Sequence, residues 1–248
     1  MKDATTSTIL DSTGNANSGT KKGANEPIEA DGKIGKGQDF DGANDSINIG
    51  TTILNSVGAG SIGMWVNAHS ASVNGGLVYQ NDTLISNDDI YMGLQLMADY
   101  KIRAYYYDSL GVAQAYDSVD PIELNDWYRV VYDWDAATSR IYINGILNND
   151  SDSLTWAKVH AGHVGQVNSL ALSPAGKRYN GLLDEVRISA NARSAAWIAY
   201  EYANMNPADG GLTWGAVCSV GTRWTRLAKG TNGDFLKMVS GYPAWVTP

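Results

Sequence analysis

From Phe40 onward the chain runs in short apolar stretches separated by clusters of Gly, Asn, Asp and Ser, the spacing of strands joined by tight turns. Arg140-Ile141-Tyr142-Ile143-Asn144 alternates polar and apolar positions, and a period of two buries one face of a strand and leaves the other outside. The pattern predicts strands over residues 45–50, 61–68, 76–80, 90–97, 101–107, 127–134, 139–144, 168–173 and 182–189. Asn144-Gly145 directly after one of them is a hairpin-turn dipeptide. One helix is expected: Ser194 can cap it, residues 195–204 can form it, and Pro207 stops it. Trp197, Ile198 and Tyr202 are its expected anchors. The fold class that follows is all-β, a β-sandwich or barrel with one short helix.

The flanks read differently. Residues 1–34 are polar, rich in Thr, Asn, Gly and Lys, and read as a lead-in loop with room for one short edge strand. Residues 35–205 form the sandwich, and Asn206-Pro207-Ala208-Asp209-Gly210-Gly211 is a linker by composition. Residues 212–248 make a small second unit carrying Trp214, Trp224, Trp245, Phe235, Leu236 and Met238. These are too many large apolar groups for a free extension, so the tail is expected to pack on the sandwich or join copies of the chain into a homo-oligomer.

Composition narrows the function classes. With 248 residues, 44% hydrophobic and 18% charged, the chain can build a core without disulfides or metals. A net charge of −8 repels a phosphate backbone, which argues against nucleic acid. Only five of the 26 acidic residues are Glu; the rest are Asp, suited to turns and to oxygen-ligand metal loops. The single cysteine, Cys218, rules out an intrachain disulfide. The N-terminus has no apolar run of the signal-peptide kind. The uncharged stretch 46–81 is broken by Gly, Ser and Asn, so no membrane insertion is expected.

Four blocks in order carry a family resemblance. They are Gly35-Lys36-Gly37-Gln38-Asp39-Phe40-Asp41-Gly42-Ala43-Asn44-Asp45, Ser61-Ile62-Gly63-Met64-Trp65-Val66, Trp127 to Asp133 followed by Arg140 to Gly145, and Tyr179 to Ser189 with its Asp184-Glu185-Val186-Arg187 centre. Together they resemble the laminin-G-like (concanavalin A-like) jelly rolls, which implies two stacked antiparallel sheets. In the tail, Trp224-Thr225-Arg226-Leu227-Ala228-Lys229-Gly230-Thr231, Phe235 to Met238 and Pro243-Ala244-Trp245 resemble a segment of phage tail and fibre proteins. That second likeness implies an extracellular or virion-borne protein.

Within that family some members are glycoside hydrolases with two close carboxylates on one strand face. Their Glu-x-Asp-x-x-Glu pattern is absent, and Asp184-Glu185 are consecutive, so strict alternation puts them on opposite faces. His160 and His163 have no further ligand nearby and read as a polar loop, and residues 32–37 lack nucleotide-loop spacing. The resemblance implies a structural Ca²⁺ with Asp184 as ligand and Asp11 in the lead-in loop as its neighbour. For a glycan, the candidate is the strand Lys101 to Tyr107: with Ile102, Ala104 and Tyr106 inward, Arg103, Tyr105 and Tyr107 form an outward row that can stack on sugars and donate to hydroxyls. The reading is a non-catalytic binding or structural module, for glycan recognition or adhesion on a virion or cell surface. A polysaccharide-active glycosidase or lyase and a purely structural assembly subunit are its alternatives.

Overall fold

The alternation in Lys101 to Tyr107 becomes strand geometry: Ile102, Ala104 and Tyr106 are buried in the core, while Arg103 and Tyr105 stay half-exposed on the other side. The computed structural model describes residues 7–21, 26–43, 45–50, 58–70, 75–82, 90–107, 113–135, 137–151, 166–170, 178–206, 235–239 and 242–246. The chain divides into two compact units, Met1–Leu212 and Thr213–Pro248.

The first unit holds two antiparallel sheets. One has eight strands in the order β1 (Thr8–Ile9), β2 (Gly19–Lys21), β5 (Ile47–Gly50), β14 (Gln166–Leu170), β7 (Gly75–Asp82), β8 (Ile90–Leu96), β9 (Ile102–Tyr107) and β10 (Ala113–Asp117). The other has seven, in the order β13 (Ile146–Ser151), β12 (Ser139–Ile143), β11 (Tyr128–Trp134), β6 (Gly60–Ser70), β15 (Asn180–Ser189), β4 (Lys36–Asp41) and β3 (Ile28–Asp31). A single apolar cluster joins them: Ile47, Leu77, Leu94 and Ile102 from the first sheet meet Phe40, Met64, Val130, Tyr132 and Leu183 from the second. Each such side chain taken fully from water contributes about 1.5–3 kcal/mol, so this shared layer is what holds the sheets face to face. Of the second unit, the hairpin β16 (Phe235–Val239) and β17 (Tyr242–Val246) is described, with Leu236 paired to Trp245 and Met238 to Pro243.

The predicted turn between β12 and β13 is present. Asn144 and Gly145 both have positive φ, 51° and 80°, the backbone that a tight hairpin requires and that Asn and Gly adopt cheaply. The lead-in is more structured than its composition suggests. It supplies β1, β2 and β3, so that residues before 34 pair into both sheets. These strands are short and polar, and their neighbours' main-chain groups hold them.

The helix α1 (Ala195–Met205) begins at Ser194, whose Oγ accepts the Trp197 N–H at 3.2 Å. It lies over the outer face of the seven-stranded sheet, where Ile198 packs with Val131 and Tyr142, and the Tyr202 ring lies 5.8 Å from that of Trp65. Trp197 is not an anchor; it is 39% exposed with the Arg193 guanidinium 4.5 Å from its ring centre. Glu201 does more. It meets Arg129 Nη2 at 3.1 Å, with side chains 7% and 1% exposed, and Arg187 Nη1 at 2.9 Å. Arg129 also donates to the Glu185 carbonyl at 3.0 Å.

Strand β15 departs from strict alternation. Asp184 is opposite Trp65 and Arg187 is opposite Gly63, so Glu185 and Val186 together face one residue of β6. Glu185 takes a positive φ of 45° in this bulge. The kink turns its carboxylate to Arg187 at 2.8 Å, on the helix-bearing side that Asp184 also faces. Asp184 and Glu185 are therefore not on opposite faces.

Candidate functional site

The outer face of the eight-stranded sheet is built from two rows of residues in register. Across β7, β8, β9 and β10 the first row is Gly76, Gln95, Arg103 and Asp117; the second is Tyr79, Gly93, Tyr105 and Ala115. The row between them, Val78, Leu94, Ala104 and Tyr116, points to the core. This is the pleat at work: opposite residues share a face, and successive residues alternate.

Two glycines shape this face. A Cβ on Gly93 would sit 2.6 Å from Cδ1 of Tyr79, and one on Gly76 would overlap the same ring. Without those carbons the ring lies down on the sheet, and Tyr79 is fully buried. Its ring is covered as well as underlain, so it offers no exposed stacking surface. Tyr105, across Gly93, keeps part of its surface exposed.

Arg103 is held in one plane. Its Nε donates to Asp117 Oδ1 at 2.6 Å and its Nη2 to Oδ2 at 2.8 Å, the two-pronged geometry that fixes orientation as well as charge. The side chains are 32% and 28% exposed, so the pair lies at the surface. The hydrogen bond to Asp117 raises the proton affinity of the guanidinium above its ordinary value against the opposing effect of burial, and the charges of Asp117 and Asp99 add to it. Arg103 is thus a permanent, pre-oriented donor beside a half-exposed phenol ring.

Of the sequence-predicted residues, Arg103 and Tyr105 come together here. Tyr107 continues β9 opposite Ala113, and its side chain lies outside the described residues, as do His160 and His163. Sequence reasoning missed Asp117, Gln95, Tyr79 and Gly93. The alternation Ala113-Gln114-Ala115-Tyr116-Asp117 was a weak signal for β10, because Ala and Gln are poor strand formers.

The metal candidates lie apart. Asp184 faces out of the seven-stranded sheet, fully buried. Its Oδ2 accepts the Ile34 N–H at 2.8 Å and its Oδ1 the Glu185 N–H at 2.7 Å. It seats the turn 32–35, which in turn lays the Lys33 ammonium 4.8 Å from the ring centre of Trp65. Burial raises its proton affinity, opposed by those two backbone bonds. Asp11 follows β1 beside the other sheet, where it accepts the Thr13 and Asn17 N–H groups, both at 2.8 Å, and closes its own loop. Both carboxylates are faced by N–H donors, and among the described residues no three His, Cys, Asp or Glu side chains converge as a cation shell.

The architecture agrees with sequence comparison. The family profile described as Concanavalin A-like lectin/glucanases superfamily, of laminin-G type, matches residues 41–199. The chain belongs to this superfamily. No curated protein matches its sequence. Among solved structures it is similar to domain 4 of AbnA, an extracellular arabinanase from Geobacillus stearothermophilus solved with arabinotriose. The TM-score is 0.63 at 21% identity, covering 77% of this chain and 91% of that one. It is also similar to the binding domain of Paraclostridial Mosquitocidal Protein 1, with a TM-score of 0.61 at 14% identity over 81% and 52% of the two chains. The botulinum neurotoxin serotype G binding domain gives 0.58 at 12% identity over 78% and 47%. At these identities the likeness establishes the superfamily fold. No described helix is long and apolar enough to cross a membrane.

Proposed function

We propose that this member of the superfamily is a non-catalytic glycan-binding module whose ligand lies on the outer face of the eight-stranded sheet, over Tyr105 and Arg103. The observation that carries the reading is the locked Arg103–Asp117 pair beside a half-exposed tyrosine on a strand whose alternate residues are core. A phenol ring covers the C–H face of a sugar, and a fixed guanidinium donates to its hydroxyls without first losing rotamer freedom. The similar arabinanase domain solved with arabinotriose makes linear arabinan the first probe of a polysaccharide panel. Tyr105→Ala and Arg103→Ala should each weaken binding about tenfold, the size of one lost stacking or charge-assisted contact, with the melting transition preserved. Unchanged binding in both variants would place the ligand elsewhere.

Display on a virion or cell surface is the second part of the proposal. It is supported by the resemblance of the Trp224 to Trp245 segment to phage tail and fibre proteins. A two-stranded hairpin such as β16–β17 is marginal on its own, which suits a segment stabilised by assembly. Light scattering on the full chain and on residues 1–211 tests this: an oligomer that survives the deletion removes the tail from the argument.

A further inference from the structure

Arg103 does not meet a ligand as a bare charge. Two of its five N–H groups are spent on the two oxygens of Asp117, at 2.6 and 2.8 Å, so the pair is neutral overall. Asp99 adds a further negative field at the guanidinium. The other residues of the two rows are Gly76, Gln95, Tyr79, Gly93, Tyr105 and Ala115, and none is a cation; Lys101, just before β9, is the next cation along the chain, and Asp99, whose carboxylate accepts the Lys101 N–H at 3.3 Å, balances its charge. The chain as a whole carries −8, which disfavours the approach of an anion.

The pair does suit a vicinal diol. The N–H groups left on Arg103 can donate to one hydroxyl oxygen, while a spare lone pair of the Asp117 carboxylate accepts from the neighbouring hydroxyl. Both bonds are charge-assisted, and both form without separating the pair. A sugar carboxylate would instead compete with Asp117 for the same donors and stand against its charge. We infer that this site selects neutral, hydroxyl-only glycans against those bearing uronic or sialic acids, and that Asp117 sets the preference by neutralising Arg103. The inference rests on the glycan reading above.

The test uses the full chain and polymer pairs that differ in the carboxylate: polygalacturonate and alginate, each beside its carboxyl-reduced form, with arabinan as a polymer that has none. Affinity electrophoresis should show binding to a neutral polymer that is unchanged up to about 0.5 M NaCl, where charge attraction is screened within a few ångströms. The charged partner should bind more weakly. Asp117→Asn, close to isosteric, should strengthen binding of the charged partner about fivefold, the size of one unit-charge interaction at about 4 Å in water, with an unchanged melting transition. Equal or stronger binding of the charged polymer by the native chain would overturn the inference and leave the glycan reading standing. An Asp117→Asn variant with the native charged-to-neutral ratio would remove Asp117 from the role. Binding to no polymer would overturn both readings.

Discussion

Glu201→Ala is the most informative single change in the seven-stranded half of the sandwich. The native carboxylate accepts from Arg129 at 3.1 Å and Arg187 at 2.9 Å, and the Arg129 side chain is 1% exposed. Burial lowers the proton affinity of Arg129, and Glu201 is the largest influence restoring it. Removing the carboxylate leaves a guanidinium inside the protein with one carbonyl partner, Glu185 O, and with the like charge of Arg187 nearby, which only the Glu185 carboxylate still offsets. Breaking one partner of a buried pair costs about 3–5 kcal/mol. The exposed side of Arg187 and the gap opened for water argue for the lower figure. A loss of about 3 kcal/mol corresponds to a fall of roughly 6–12 °C in melting temperature for a unit of this size. Urea unfolding read by tryptophan fluorescence measures it, since Trp65 lies beneath the same helix. The paired variant Arg129→Met with Glu201→Leu removes both charges and fills the space, so it should lose less than Glu201→Ala alone. A Glu201→Ala loss under about 1 kcal/mol, or a double variant worse than the single, would show that the pair does not fasten the helix.

Three other outcomes follow from the geometry. Asp184 has a proton affinity raised above the usual carboxylate by burial, so the folded state binds its proton more tightly than the unfolded chain; its contribution to stability therefore grows as pH falls into the interval just above 3.8 and is lost again as pH rises through it. The urea midpoint of the native chain minus that of Asp184→Asn should rise on going from neutral to about pH 4, and a flat or falling difference would contradict the sign. A Ca²⁺ held by Asp184 through the lone pairs that the Ile34 and Glu185 N–H groups leave open would stabilise the native state, so a chelator should lower the melting temperature of the native chain and not that of Asp184→Ala; an unchanged native melting temperature would remove calcium from the reading. Gly93→Ala should drive a methyl into the Tyr79 ring, costing about 1–3 kcal/mol and weakening glycan binding through the displaced Tyr105 row, whereas native binding and stability would show that the ring can move aside.

What the sequence disclosed was what local pattern encodes. The alternation of β9, β11 and β12 follows from side chains within each strand, and the Asn144-Gly145 turn and the Ser194 cap follow from backbone preferences of two or three residues. β1, β2, β3, β4, β10 and β13 were absent from the predicted strands because they are short, polar or at sheet edges. Their stability comes from main-chain partners far away in sequence, which no window of residues displays. The same limit hid the site's second half. Arg103 and Tyr105 could be named from one strand, but Asp117 lies on β10, fourteen residues on, and only the pairing of β9 with β10 brings it to the guanidinium. The relation of Asp184 to Glu185 was misread because a one-residue bulge undoes the period of two on which the reading depended.

The order of strands has a consequence for how the protein is made. In each sheet a central position is filled by one of the last strands of the sandwich: β14 lies between β5 and β7, and β15 between β6 and β4. A ribosome that has released everything up to residue 160 has delivered both flanks of each gap and neither strand that fills it. Until Gln166–Leu170 and Asn180–Ser189 emerge, β5, β7, β4 and β6 each carry an unpaired edge, several of them apolar on one side. Such edges recruit strands from neighbouring nascent chains, and closure through partners 84 to 145 residues apart is slow. Yield in cells should therefore respond to slower translation, lower temperature and chaperone supply more than the stability of the finished sandwich would suggest.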